Sequence, residues 1–404
     1  MSVPATAPLR DDARVIGLVG VAHGVSHFFQ LVIPSLFPWI RDDFGVSWTA
    51  LAMVTTVFFA VSGLAQAAAG FVVDRFGARR PLAGGLALLV AGALLAAAAP
   101  GLPALLVAAV LIGLGNSVFH PADFAIRNSR VSVPRLGHAF SVHGLTGNLG
   151  YVGAPLLMVA VATTAGWRMA LLCAALVGVA AVALVLATPD VFKVEQVARR
   201  KDAGGGKAGL STWLNGSVLG FFVFFVFVTA TGVGIQNFAP QVLRMIYGVG
   251  AGAAAGALTA YLLAAAGGMA VGGFVASHTD RQERAAAGAL VLGALLLLVA
   301  ASGLADFPVA AVLVCAVGFL MGVVGPLRDM LIRRVASAGS MGKVYGVTYS
   351  GIDVGAALGP AIVGVCLDAS RPGLAWALLA ASLVMGAFIS CTVASRMRAK
   401  AAIA

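Results

Sequence analysis

Twelve apolar stretches, each close to or beyond the length a helix needs to cross a bilayer, leave this chain of 404 residues few folds to choose from. A helix needs about 20 mainly apolar residues to span the hydrocarbon core. The stretches run Val15 to Trp39, Trp48 to Val73, Pro81 to Ala99, Pro103 to Ile126, Leu136 to Thr163 and Trp167 to Thr188. They resume at Trp213 to Leu243, Gly250 to Ser277, Ala285 to Ser302, Pro308 to Ile332, Met341 to Leu367 and Gly373 to Ala394. Only 10% of residues are charged and the mean hydropathy is +1.00, whereas soluble domains carry about a quarter charged residues to cover their surfaces. The expected fold is an all-α integral membrane protein whose twelve transmembrane helices form two pseudo-symmetric six-helix bundles. Residues 1–188 make the first bundle and 212–404 the second. Between them PDVFKVEQVARRKDAGGGKAGLS, residues 189–211, reads as a linker with a flexible glycine triplet.

Assigning alternate loops to opposite sides puts 21 of the 26 Lys and Arg residues on one side. The other side holds Arg41, Arg168, Arg244 and Arg371, and Arg328 falls inside a helix. Lys and Arg accumulate in cytoplasmic loops. Both termini and the linker are therefore expected in the cytoplasm, with the chain multi-pass in a bacterial-type cytoplasmic (inner) membrane and its partner the lipid bilayer. The formal charge of +11 is absorbed by this asymmetry. The basic clusters lack interleaved aromatics, so no nucleic acid is expected to bind. Cys173, Cys315, Cys366 and Cys391 all lie in apolar runs without CxxC spacing, which supports neither a disulfide framework nor a zinc finger. The polar N-terminus precedes an apolar segment with no AxA-like cleavage site, so that segment is expected to be retained.

The two halves align with one another. At an offset of 205, Pro121 meets Pro326, Gly137 meets Gly342, Gly150 meets Gly355 and Pro155 meets Pro360 without a gap. The matches fall at the same points of helices 4 and 10 and of helices 5 and 11, as an internal duplication requires. The glycine-rich phrases GNLGYVGAP and GIDVGAALGP let helices approach closely, and Pro155 and Pro360 bend them.

After helix 2 the chain reads GFVVDRFGARR, with Gly70, Asp74, Arg75, Gly77, Arg79 and Arg80 in the positions of the cytoplasmic gate signature of the major facilitator superfamily. Gly70 is expected to allow close helix approach and Asp74 to cap or pair near a helix end. A degraded copy, GGFVASHTDRQER, follows helix 8. Within that superfamily, HGVSHFFQLVIPSLFPWIRDDFGVSW in helix 1 and LIGLGNSVFHPADFAIRNSR in helix 4 resemble the fosmidomycin-resistance branch of exporters. The chain departs from the branch at His27, where an acidic residue is usual, and at Ala122, where a glutamate is usual; Asp123 stands one place later.

The resemblance places helices 1, 4, 7 and 10 around a central cavity. Those helices carry His23, His27 and Gln30; Asn116, His120 and Asp123; Gln236, Asn237 and Gln241; and Arg328 and Asp329. Polar side chains are expensive at membrane depth and usually face a bundle interior or wet cavity, so a translocation path is expected there. His23 and His27 are four apart and share a helical face. For this pair and His120, proton acceptance, metal ligation and plain packing remain open. Metal ligation would draw on His23, His27, His120 and His143, with Asp123, only if helices 1, 4 and 5 meet. Asp123 and Arg328 are equivalent under the 205-residue offset and could latch the halves; the alternative is that Arg328 snorkels to the interface. Asp353 lies mid-helix with Tyr349 and Tyr345 one and two turns before it, and is a candidate for proton coupling or a partner for a motif arginine. The Phe221 to Phe227 run reads as lipid-facing or packing surface.

The function expected is secondary active transport of a small polar or amphiphilic solute by alternating access, proton-coupled and directed outward, by a monomer without cofactor. A histidine-lined importer of a metal ion or metal complex is the rival. No GxxxxGK[ST] stretch supports nucleotide drive and no HExxH supports an intramembrane enzyme.

Overall fold

The computed structural model of the chain describes residues 8–192, 216–335 and 341–401. Among them every regular element is helical. In chain order these are α1 (Leu9–Val32), a 3-10 turn (Pro34–Leu36), α2 (Phe37–Phe44), α3 (Trp48–Phe76), α4 (Arg79–Ala97), α5 (Leu102–Asn116), α6 (Phe119–Arg130), a second 3-10 turn (Val133–Arg135), α7 (Leu136–Ala165), α8 (Trp167–Ala187) and the short α9 (Pro189–Phe192). Then come α10 (Gly216–Tyr247), α11 (Ala251–His278), α12 (Gln282–Ala301), α13 (Phe307–Val335), α14 (Met341–Asp368) and α15 (Pro372–Ala401). By length and composition they make 12 membrane-crossing spans, two of them composite: Leu9–Phe44 and Leu102–Arg130. Residues 193–211 of the expected linker, with Lys193, Arg199, Arg200, Lys201 and Lys207, lie outside the described residues, as does the side chain of Tyr345.

The fourth span departs from the sequence reading. Instead of one helix from Pro103 to Ile126, α5 stops at Asn116, Ser117 and Val118 form a turn, and α6 restarts at Phe119. Pro121 explains the position of the break. Proline has no N–H to bond the carbonyl four residues back, and its ring collides with that carbonyl; here the carbonyl is that of Ser117. In the first turn of a new helix the same proline is tolerated, which is where it sits.

Contacts divide the chain into two units. Met1–Val46 groups with Val57–Ala203, and Ser47–Thr56 groups with Gly204–Ala404. In the first unit α1 runs along α7, and α4 packs between α5 and α8. In the second, α10 packs on α14 and α15, α11 on α13, and α12 on α13 and α15. The pairing thus recurs: first span on fifth and third on sixth, then seventh on eleventh and ninth on twelfth.

Small residues set the closeness of these pairs. A Cβ at Gly150 on α7 would collide with the carbonyl oxygen of Gly24 on α1. Its counterpart at the 205-residue offset, Gly355 on α14, lies against the carbonyl of Val226 on α10, and Gly359 against that of Ala230. Association in lipid depends on such packing because no hydrophobic effect drives it there. Phe221, Phe224 and Phe225 of α10 are buried, so this part of the phenylalanine run is packing surface.

One polar clip fixes the base of α1 to the segment that follows α6. The fully buried Asp12 carboxylate accepts hydrogen bonds from the Ser132 hydroxyl, from the Ser132 N–H at 3.2 Å and from Arg135 Nη1 at 2.7 Å.

Gly150→Val should therefore lower the stability of the detergent-purified protein by about 1–3 kcal/mol, the usual cost of overpacking, read as a fall in thermal unfolding midpoint. Gly256→Ala, on α11 with open space around it, should leave that midpoint unchanged or slightly raised, because alanine suits a helix better than glycine.

Candidate functional site

Three helices of the first unit turn polar stripes toward each other. On α1, His23 and His27 stand one turn apart, with ring centroids separated by 4.4 Å. On α7, His143 lays its ring on His23, 3.4 Å away and 20° from parallel. On α6, His120 comes within 5.6 Å of His23 and 6.4 Å of His143, centroid to centroid. Asp123, one turn further along α6, is fully buried. Its Oδ2 lies 3.1 Å from His23 Nδ1 and 3.9 Å from His143 Nδ1. Neither Nδ1 nor either carboxylate oxygen finds an aligned hydrogen-bond partner, so the 3.1 Å approach is an ion-pair distance without hydrogen-bond geometry.

Gly147 of α7 makes room for this group. A Cβ there would lie 3.1 Å from His23 Nε2 and from His27 Cε1 and Nδ1, tighter than ordinary side-chain contact. Below Asp123 on α6, the buried Arg127 donates from Nε to the Asp123 backbone carbonyl at 3.1 Å. Its guanidinium stands over the rings of Phe124 and Phe140, at 4.9 and 4.5 Å. His23 is buried while His120 is exposed, so the cluster is open on the His120 side.

A second set of polar groups adjoins the first through Tyr151, whose ring lies 4.5 Å from His27. Tyr151 donates its hydroxyl to Gln30 Oε1 at 2.7 Å. Gln30 Nε2 donates to Asn116 Oδ1 at 3.3 Å, and Asn116 Nδ2 donates to Ser62 Oγ at 2.9 Å. This chain of uncharged groups joins α7, α1, α5 and α3 and ends at the break in the fourth span. The turn at the break is tight, with Ser117 and Val118 keeping right-handed dihedrals, and interrupted helices commonly line transport sites.

In the second unit the expected residues fall in separate groups. Asn237 is buried, donating to the Val233 carbonyl at 2.8 Å and accepting from Thr55 at 2.9 Å. Gln241 is buried with its Oε1 lacking a hydrogen bond; Gln236 is partly exposed. Arg328 Nε donates to Asp329 Oδ1 at 3.4 Å, Tyr349 donates to the same oxygen at 3.2 Å, and the Arg328 guanidinium lies 4.8 Å above Phe225. Of the two charges expected to latch, Asp123 is engaged by His23 in the first unit and Arg328 by Asp329 in the second. Asp353 is half-buried in α14. It lies two residues from Gly351, and thus away from the helix face that Gly351, Gly355 and Gly359 press against α10.

The loop motif also resolves residue by residue. Gly77 adopts φ +74°, a left-handed turn that suits glycine, between α3 and α4. Arg79 donates to the carbonyls of Val185 and Leu186, at 3.3 and 2.8 Å, closing the last turn of α8. Asp74, Arg75 and Arg80 are exposed. Gly70 corrects the sequence reading: a Cβ there would meet nothing within 4 Å, so close helix approach is not what it provides.

A family model for the Major Facilitator Superfamily matches residues 19–360. The chain belongs to this superfamily. With 12 helices long and apolar enough to cross a membrane, it is a multi-pass membrane protein of that family. Among curated relatives, the fosmidomycin resistance protein of Escherichia coli is 29% identical over 153 residues, 38% of this chain and 37% of that protein. The multidrug resistance protein B homolog of Mycobacterium tuberculosis is 30% identical over 171 residues, 42% of this chain and 32% of that one. The chain thus spans about a third of those relatives' own length. Two crystal structures share the fold. The nucleoside transporter NupG has a TM-score of 0.77 at 12% identity, covering 94% of this chain and 99% of that one. A bacterial homologue of the human lysosomal transporter Spinster, in an inward-facing and occupied conformation, has 0.71 at 15%, covering 97% of each.

Gly147, Tyr151, Ser62 and Arg127 escaped the sequence reading, and His143 entered it only as a conditional metal ligand. A signal existed for part of this. His143, Gly147 and Tyr151 recur every four residues, as His23 and His27 do, so each trio or pair marks one helical face. Ser62 gave none, being one of several hydroxyls along α3. Gly147→Val should crowd both α1 histidines, cutting transport at least tenfold while the protein still inserts and purifies; full activity would show that the space is not needed.

Proposed function

We propose that this protein exports a small polar or amphiphilic solute from the cytoplasm by alternating access, in exchange for protons. The observation that carries the reading is the broken fourth span with its polar flank. Asn116, at the break, sits in a hydrogen-bonded chain with Ser62, Gln30 and Tyr151. Uncharged donors and acceptors at membrane depth are costly, and a solute with hydroxyl, amide or acid groups can exchange bonds with them. Asn237 and Gln241 offer the same chemistry in the second unit. The outward direction is supported by the two resistance proteins among the relatives. The Lys/Arg asymmetry supports cytoplasmic termini in an inner membrane, and one chain supplying both bundles supports a monomer.

Proton coupling is assigned to Asp353. Ionisable residues within membrane spans commonly mark proton or ion pathways, and Asp353 is a half-buried carboxylate in the middle of α14 with no ion pair among the described residues. On this reading the arginine motif after α3, with Asp74 and Arg75, belongs to the cytoplasmic gate.

Fosmidomycin is the first probe. Proteoliposomes loaded with it should release it when a proton gradient is imposed, and collapsing the gradient should return release to the rate of empty liposomes. Asn116→Ala should reduce release at least tenfold by removing the acceptor for Gln30 and the donor to Ser62. Asp353→Asn should abolish gradient-driven release yet keep exchange of labelled for unlabelled solute, which needs no net proton movement. Gradient-driven release by Asp353→Asn at the wild-type rate would remove the assignment to that residue, and release indifferent to the gradient would remove proton coupling.

A further inference from the structure

We propose that His23, His120 and His143 form a binding site for a borderline divalent transition-metal ion of the Zn2+ or Co2+ type, with Asp123 as the adjoining carboxylate. This goes beyond the exporter reading and does not depend on it. One ligand atom from each histidine can be chosen so that all three lie within 4.8 Å of one another. Nitrogen donors about 2.0–2.1 Å from a tetrahedral ion stand about 3.3 Å apart. Small rotations of three imidazoles close that difference.

The polar accounting points the same way. His23 Nδ1, His143 Nδ1 and both oxygens of Asp123 are buried without a hydrogen bond. Buried polar atoms normally find partners, and leaving several unpaired in one place is costly. A ring stacked at 3.4 Å on another imidazole, beside a carboxylate at 3.1 Å, presents lone pairs that a cation would satisfy together. Asp123 Oδ2, beside the Nδ1 atoms of His23 and His143, adds an oxygen donor and a negative charge to the same group. Three imidazoles favour zinc, cobalt, nickel or copper over the oxygen-seeking magnesium and calcium.

The elements packed around the site bear on its strength. His27 stands beside His23 on α1 and adds a fourth imidazole at the rim. Arg127 on α6 adds a positive charge that opposes a cation, though its guanidinium is engaged with the two phenylalanine faces. Only Asp123 offers negative charge among the groups described here. The site is thus expected to release its ion readily, and exposed His120 marks the side of entry and of an open coordination position.

The test is a Co2+ titration of the full-length, detergent-purified protein after chelator treatment, without gradient or solute. One Co2+ per chain is expected, with the absorption of a tetrahedral, nitrogen-rich site, displaced by Zn2+ and not by excess Mg2+. Asp123→Asn should weaken binding 10–100-fold, His120→Ala should abolish the absorption, and His278→Ala, at an exposed position on α11, should leave both unchanged. Wild-type protein showing only the spectrum of hydrated Co2+, or His120→Ala retaining one tight ion, would overturn the proposal. Because the wild-type titration decides by itself, a variant that fails to fold does not protect it. Fosmidomycin release measured in chelator reports separately on the exporter reading.

Discussion

Inside a bilayer no water can satisfy a backbone amide or carbonyl, so each span must close its own hydrogen bonds. That constraint explains why every regular element among the described residues is a helix and why departures from helix are informative. The described structure is interrupted at membrane depth at the Pro121 break, where α5 gives way to α6 through a turn at Ser117 and Val118, although Ser117 still donates to the Gly113 carbonyl and Val118 still accepts from Ala122. Beside it the chain concentrates amide and hydroxyl groups, from Asn116 to Tyr151, that bond one another. Backbone irregularity and polar side chains occur together because each requires the same thing, a place removed from lipid.

The second dependence is on how near two helices can come. Between α1 and α7 the Gly24 and Gly150 backbones touch, and Gly20 meets Thr146. This closeness stacks His143 on His23 and lets Gly147 accommodate two imidazoles. Packing in lipid gains little from apolar burial, so a larger residue here would not be repaid elsewhere; it would separate the helices and with them the histidines. The Asp12 clip continues the same logic at the base of α1, tying it to the turn that follows α6, which carries His120 and Asp123. Fold and site share their supports.

Much of this could be read in the residues. The spans follow from apolar length, and the duplicated order of packing follows from Gly150, Pro155 and their counterparts 205 residues later. The polar faces of α1 and α6 follow from spacings of three and four. Other features were hidden for identifiable reasons. Proline at position 121 was visible, yet prolines 155, 240, 326 and 360 lie inside unbroken helices, so a proline alone does not announce a break. Gly70 matched a motif whose glycine suggested a close approach, but nothing lies near its open face. Tyr151 looked like an aromatic within a glycine-rich packing phrase until its hydroxyl met Gln30.

What the sequence by itself determined was the number of spans, their membrane class, the duplication and the supply of ionisable groups at membrane depth, because hydropathy, periodicity and residue chemistry are local properties of the chain. What only the tertiary structure decided was which of those groups meet. Asp123 could have turned toward another span, and His143 could have been a packing residue. The packing of α6 beside α1 and the contact of the glycine-lined α1 and α7 backbones bring both to His23, and those are distances between helices far apart in the chain that no local pattern encodes.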